Sequence, residues 1–269
     1  MADGIRIAAN TGFLWKDLPF LERIGRARDA GFDAVEFHDE AQRHDLDDVR
    51  AALREAKLPL LGLNTRMDET VGCAGIPGME DAAREDIGVA IETARALGGT
   101  AVHVLAGKVE DSEAAWSAYR SNLDHAAKRA AAAKSEVAPT GLNVLIEPLS
   151  VSAMPGYLLG SVAKAASVIE WVGAPNLKIM FDLFHAHANG DPIVDTFERY
   201  APHIGHVQLA DPVSRGEPAL DGPFAVGALV TGLREQGYAS AFGAEYVPTG
   251  AVEQGLGWMA QIRSELDRP

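Results

Sequence analysis

The chain has 269 residues, 47% of them hydrophobic and 23% charged, as expected for one large α/β domain or two small ones. Its 38 acidic residues outnumber its 24 basic ones, and the formal net charge of −14 argues against a nucleic-acid partner, because polyanions are repelled. No apolar run approaches the roughly 20 residues that span a bilayer, and no signal-peptide pattern opens the chain, so we expect a cytoplasmic protein without a membrane partner.

The first half of the chain alternates between short apolar runs and helical patterns. Strands are predicted at Ile5–Asn10, Ala34–His38, Leu58–Asn64 and Thr100–Ala106. Helices are predicted from Leu18 to the stop at Gly31, over Leu46–Lys57, over Met79–Leu97 and after Ser112 as N-cap. The loop Thr65–Pro77 is long and contains glycine, which is typical of an active-site loop. It holds the single cysteine, Cys73, which excludes an intrachain disulfide and is expected to be a small buried hydrophobe.

The second half continues the alternation. Strands are predicted within Asn143–Pro148, Asn176–His185, His206–Asp211 and Phe242–Tyr246, and helices at Ser161–Val172, Pro192–Tyr200, Pro223–Gln236 and Ala251–Leu266. Eight strands alternating with eight helices, at about thirty residues per unit, predict a single-domain (β/α)8 TIM barrel over residues 1–269. An open doubly wound sheet is the alternative. A dinucleotide-binding fold has no support, because no Gly-x-Gly-x-x-Gly follows the first strand.

A polar residue stands at or near the end of each predicted strand. These residues are Asn10, Glu36, Asn64, His103, Glu147, Asp182, Gln208 and Glu245. In a barrel the carboxyl ends of all strands converge on one face, and burying eight polar groups there without partners would be costly. Glu147, Asp182, Gln208 and Glu245 form an oxygen-rich set that suits Mg or Mn, and that also permits Co or Zn. For Asn10, Glu36 and His103 we expect structural hydrogen-bonding roles.

His185 follows Asp182 by three residues, so the two side chains cannot share one face of a continuing strand. We therefore expect the chain to bend after Asp182 if both reach the site. His187, His203 and His206 are expected to be surface or packing residues.

Several segments resemble the hydroxypyruvate isomerase family, a branch of the xylose-isomerase-like barrels. They are Ala74–Gly78, Leu145–Pro148, Phe181–His185, Gly205–Asp211, Arg215–Pro218 and Ala244–Tyr246. The resemblance implies that Glu147, Asp182, Gln208 and Glu245 hold a divalent metal ion and that Glu147 and Glu245 exchange protons with substrate. It implies that His185 touches substrate oxygens. The implied reaction interconverts a small hydroxy-keto acid and its aldehyde isomer through an enediolate, most simply hydroxypyruvate and tartronate semialdehyde.

A substrate of this kind carries a carboxylate, so the site should supply a cation. Arg215 and Lys108 follow the seventh and fourth predicted strands and are the expected cations, with Arg66 a weaker candidate. We also place Asn64 beside the substrate.

Other functions stay open at this point. A 2-oxo-tetronate isomerase or a ketose 3-epimerase would use the same two glutamates, although epimerases usually carry a histidine where this chain has Gln208. An endonuclease IV-like phosphodiesterase would need a His-rich zinc cluster and a basic groove, and a non-catalytic sugar-binding barrel would not need both glutamates. After Pro218 the chain reads Ala219–Phe224 where the family is often glycine-rich, so the pocket edge is expected to differ. The partner is expected to be a small molecule, and a homo-oligomer is left open.

Overall fold

The chain folds as a closed barrel of parallel strands in sequence order. The computed structural model describes residues 5–266. The strands are β1 (Ile7–Asn10), β2 (Ala34–Phe37), β3 (Leu60–Asn64), β4 (Ala101–His103), β5 (Asn143–Ile146), β6 (Leu177–Asp182), β7 (Ile204–Leu209) and β8 (Phe242–Ala244). β1 pairs with both β2 and β8, which closes the barrel. The (β/α)8 prediction is confirmed, and the open sheet was the wrong alternative.

Helices follow the strands around the outside of the barrel. They are α1 (Phe20–Asp29), α2 (Leu46–Ala56), α3 (Glu80–Leu97), α4 (Glu113–Ala132), α5 (Val162–Val172), α6 (Leu183–Ala188), α7 (Ile193–Tyr200), α8 (Val226–Glu235) and α9 (Gly257–Leu266). The predicted N-cap at Ser112 is confirmed, because its hydroxyl accepts from the Ala115 amide at 3.2 Å. None of these helices is both long and apolar enough to cross a membrane.

The largest differences from the prediction concern β4 and α6. The fourth strand was expected to reach Ala106 but ends at His103, because side chains take two of the following amides: Leu105 N–H donates to the Thr65 hydroxyl and Ala106 N–H donates to the Tyr157 hydroxyl. The short helix α6 was not predicted, because the apolar run that forms β6 continues into it without a break.

The apolar core lies mainly between the strands and the surrounding helices. A small separate apolar cluster is formed by Ala101, Leu145 and Met180. These residues line a cavity of about 230 Å³ in the barrel interior, together with Glu36, His103, His206 and Gln208. Apolar side chains and open volume therefore lie next to part of the polar layer at the carboxyl ends of the strands.

Two strand pairs carry a register irregularity inside this barrel. Between β2 and β3 the register shifts at Val35/Glu36, and between β6 and β7 it shifts so that Met180 lies opposite His206. Such bulges re-aim the side chains next to them and are common beside active sites.

Candidate active site

The polar strand-end residues lie together in the barrel interior, as predicted. Seven of the eight are buried and Asn64 is partly buried; the buried ones are Asn10, Glu36, His103, Glu147, Asp182, Gln208 and Glu245. They come from strands that are distant in sequence but converge at one end of the barrel.

The chain bends at Asp182, as the spacing to His185 requires. β6 ends there and α6 begins, with Asp182 Oδ1 accepting from the His185 amide at 2.9 Å as its N-cap. The bend brings one potential ligand atom each from Glu147, Asp182 and His185 within 4.8 Å of one another. Glu147 Oε1 and Asp182 Oδ2 are buried and have no hydrogen-bond partner among residues 5–266.

These oxygens fit a divalent cation, because buried carboxylate oxygens without donors need a positive partner. Gln208 Oε1 is a third buried oxygen for which the described part of the chain offers no donor. The donor set is therefore oxygen-rich, as hard divalent ions prefer.

His185 is oriented by the loop after β5. The Ser150 amide donates to His185 Nδ1 at 3.0 Å, so Nδ1 must carry a lone pair rather than a proton. Burial lowers the pKa of His185 to about 4, so the ring is neutral near pH 7 and its proton lies on Nε2. Nε2 lies 3.8 Å from Glu147 Oε1. Because a protonated nitrogen cannot ligate a metal, this tautomer makes His185 a hydrogen-bond donor into the site.

Glu245 is held by three donors from three parts of the barrel. Its Oε2 accepts from Asn10 Nδ2 at 2.6 Å and from Gln208 Nε2 at 2.8 Å. Its Oε1 accepts from Arg215 Nη2 at 3.1 Å. The carboxylate therefore has a fixed orientation. It lies close enough to Glu147 and Asp182 for their charges to interact: the Glu245 charge raises the pKa of Glu147, and the Asp182 charge raises the pKa of Glu245.

Both glutamates hold their protons more tightly than an ordinary glutamate. Burial raises the pKa of Glu147 well above its usual value, and the nearby Glu245 and Asp182 carboxylates raise it further. Burial also raises the pKa of Glu245 to about 8, even though Arg215 opposes the shift. Two neighbouring buried carboxyl groups with raised pKa values are suited to general acid and base roles.

Arg215 is preorganised at the mouth. Its guanidinium lies between two aromatic rings, with Cζ 4.7 Å from the Phe13 ring centre and 5.1 Å from that of Phe184. Its backbone adopts φ +59°, an uncommon conformation for a residue with a Cβ. The structure thus brings this predicted cation to the glutamates.

The other predicted substrate contacts lie at different distances from this centre. Asn64 Oδ1 is 3.2 Å from His103 Nδ1, and that nitrogen is 3.8 Å from Glu147 Oε2, so Asn64 borders the site through His103. The Lys108 side chain is exposed, and its backbone pairs with Tyr157. Arg66 is half exposed and pairs with Asp86 at 3.5 Å, which turns it toward α3.

The contact between His206 and Glu36 was not predicted from the sequence. His206 was expected to be a surface or packing residue, but it is buried in the barrel with Nε2 2.6 Å from Glu36 Oε1. The signal was available in β7, because His206 and Gln208 are two residues apart and must share a face. The other two histidines match the expectation: His187 packs edge-on against Phe224, and His203 lies near Glu170 at the surface.

Known proteins resemble this chain over nearly its whole length. The hydroxypyruvate isomerase of Escherichia coli is 32% identical over 96% of this chain and 100% of its own. The 2-oxo-tetronate isomerase of Pectobacterium atrosepticum is 33% identical over 94% and 96%. A solved structure from Brucella melitensis, named AP endonuclease, family 2, is 31% identical with a TM-score of 0.88, covering 96% of this chain and 99% of that one. The family model described as xylose isomerase-like TIM barrel matches residues 24–262. The chain belongs to the xylose isomerase-like TIM barrel family.

Proposed function

We propose that this protein is a metal-dependent isomerase that interconverts a small hydroxy-keto acid and its aldehyde isomer through an enediolate. Hydroxypyruvate and tartronate semialdehyde (2-hydroxy-3-oxopropanoate) are the simplest such pair. The observation that carries the proposal is the pair of neighbouring buried carboxyl groups, Glu147 and Glu245, with raised pKa values. The name of the E. coli relative supports the same reaction class.

The reaction needs a general base and a general acid that contact the substrate. One carboxylate removes a proton from the hydroxyl-bearing carbon beside the carbonyl, and a carboxyl group returns a proton to the former carbonyl carbon. The hydroxyl proton passes to the former carbonyl oxygen, so that the two isomers balance. We assign these roles to Glu147 and Glu245. Raised pKa values suit the task, because a carboxylate with a raised pKa is a stronger base than an ordinary one.

The residues that would hold the metal ion are Glu147, Asp182, Gln208 and Glu245, with Mg or Mn favoured by the oxygen donors and Co or Zn permitted. When bound, the ion would supply Lewis-acid stabilisation of the negative charge that develops on the substrate oxygens. Glu147 Oε1, Asp182 Oδ2 and Gln208 Oε1 are buried without a donor among residues 5–266, which supports the assignment for these three residues.

Arg215 would bind the substrate carboxylate. Its planar guanidinium can pair with a carboxylate in two parallel hydrogen bonds, and the Phe13 and Phe184 rings hold the plane in place. His185 would donate from Nε2 to a substrate oxygen, since Ser150 occupies Nδ1. Lys108 and Asn64 remain predicted substrate contacts at the rim.

A 2-oxo-tetronate isomerase is the second function, supported by the name of the Pectobacterium relative. Its substrate is a longer keto acid that would use the same glutamates and the same arginine. A ketose 3-epimerase is a weaker alternative, because a neutral sugar gives Arg215 no carboxylate to bind.

We infer a small-molecule partner and neither a nucleic-acid nor a membrane partner. The net charge of −14 supports the absence of a nucleic-acid partner, because it repels polyanions. The cytoplasmic location stays a prediction, and assembly as a homo-oligomer stays open.

The test is a substrate panel of hydroxypyruvate, 2-oxo-tetronates and common ketoses, assayed with EDTA and with added Mg or Mn. We expect turnover of a keto acid that EDTA abolishes, with solvent deuterium incorporated at the reacting carbon. Glu245→Gln should abolish turnover, while Glu55→Gln on the exposed face of α2 serves as the matched control. Turnover of ketoses alone would favour the epimerase, and product hydrogen derived wholly from the substrate would contradict the two-glutamate mechanism.

A further inference from the structure

Glu36 is a buried acid that the proposed reaction does not use. It extends from β2 into the barrel interior, where two side chains of β7 contact it. Gln208 Nε2 donates to Glu36 Oε2 at 3.0 Å, and His206 Nε2 lies 2.6 Å from Glu36 Oε1. A buried carboxylate is costly without partners, so its place beside a predicted metal ligand requires an explanation.

The Gln208 amide has one orientation that satisfies its neighbours. Its nitrogen donates to Glu36 Oε2 and, at 2.8 Å, to Glu245 Oε2. Both acceptors are carboxylate oxygens, so turning the amide over would place Gln208 Oε1 against two acceptors. Oε1 therefore faces away from them, and residues 5–266 offer it no donor.

The barrel is shaped around the Glu36 carboxylate. A Cβ at Gly243 on β8 would lie 2.5 Å from Glu36 Oε1 and 2.7 Å from Oε2, distances that a real side chain cannot adopt. Gly243 does not have a positive φ, so its backbone does not require glycine. The register shift at Val35/Glu36 lies at the same point of β2.

We propose that Glu36, paired with His206, is a positioning residue that fixes the Gln208 amide so that Oε1, and not the nitrogen, is presented to the divalent ion. The inference rests on the metal site of the proposed function. Glu36 acts through its hydrogen bond to Gln208 and does not itself contact the ion.

The hydrogen bond and the charge of Glu36 can be separated by two substitutions. Glu36→Gln removes the charge but keeps an oxygen that can accept from Gln208, whereas Glu36→Ala removes both. Loss of a group that orients a metal ligand typically weakens metal affinity roughly 10- to 100-fold. We therefore expect the Ala variant to bind Mn²⁺ roughly 10- to 100-fold more weakly than wild type, and the Gln variant to stay within about threefold of it.

The measurement is Mn²⁺ titration of the full chain followed by electron paramagnetic resonance, with thermal unfolding of the metal-free proteins recorded alongside. A double-mutant cycle adds Gln208→Ala: Glu36→Ala should cause no further loss of affinity in that background, because it acts through Gln208. An additive loss would show that Glu36 acts by charge alone and would overturn the inference. So would a folded Glu36→Ala protein that binds Mn²⁺ as tightly as wild type.

If Glu36→Ala does not fold, Gly243→Ala displaces the same carboxylate without removing it. We expect a roughly tenfold loss of Mn²⁺ affinity from this variant, and unchanged affinity would refute the positioning role. A wild-type protein that binds no divalent ion would overturn the proposed metal site together with this inference. Tight wild-type binding with insensitive variants would overturn the inference alone.

Discussion

Glu245 should make a contribution to the stability of the metal-free protein that falls as pH rises from 5 to 8. Its pKa lies at about 8 in the folded chain, against 4.5 for an ordinary glutamate. The folded state therefore binds this proton more tightly than the unfolded state does. The stabilisation is complete below about pH 4.5 and is lost as pH rises through about 8.

The size of this change in the free energy of unfolding follows from the difference between the two pKa values of Glu245. Each pH unit between the two pKa values lowers the free energy of unfolding by about 1.4 kcal/mol, which gives about 4 kcal/mol between pH 5 and pH 8. Glu245→Gln cannot ionise and should remove this contribution, so stability should fall less with pH in the variant than in the wild type. Urea unfolding in EDTA at pH 5, 6, 7 and 8 measures this dependence.

The matched control is Glu55→Gln, an exposed acid on α2, which changes the net charge equally and should retain the wild-type slope. The reasoning would be refuted if Glu245→Gln and Glu55→Gln had the same slope. A saturating divalent ion that binds the ionised carboxylates should stabilise the wild type more at pH 8 than at pH 5.

Three further outcomes are expected. Asp182→Asn keeps an oxygen for the α6 cap but loses the charged Oδ2, so Mn²⁺ affinity should fall roughly tenfold or more. Thermal unfolding of the metal-free variant should stay close to that of the wild type. Equal Mn²⁺ affinity in the two proteins would show that the proposed metal site is in the wrong place. Burial, with the neighbouring Asp86 carboxylate, raises the pKa of Cys73 to about 11. At pH 8, iodoacetamide should therefore label the thiol of the native protein much more slowly than the thiol of the urea-unfolded protein. Equal labelling rates would contradict the burial. Ser112→Ala should lower the free energy of unfolding by about 1 kcal/mol, measured by urea titration, and an unchanged value would mean that the cap contributes nothing.

The barrel could be predicted from the sequence because its signals are local and repeated. Each strand is a short apolar run with a polar residue at or near its end, and a capping serine marks the start of helices such as α4. The closure of β1 on β8 then follows from the count of units. The bend after Asp182 could be predicted too, because a spacing of three does not fit a strand.

The hydrogen bonds inside the barrel could not be predicted in the same way. Glu36 and Gln208 are 172 residues apart, and their contact depends on how far β2 and β7 are shifted along the barrel. A shift of one residue changes which side chains point inward. The fate of Arg66, which pairs with Asp86 rather than turning to the site, likewise depends on where α3 packs.

The N-cap at α6 has a consequence for the coordination number of any ion at this centre. Asp182 Oδ1 accepts from the His185 amide, whereas Oδ2 has no donor among residues 5–266, so Asp182 would bind the proposed ion through Oδ2. Monodentate carboxylates suit the compact octahedral shell of Mg, whereas Ca usually recruits bidentate carboxylates to reach seven or eight oxygens. A backbone hydrogen bond that starts a six-residue helix would thus favour the smaller ion.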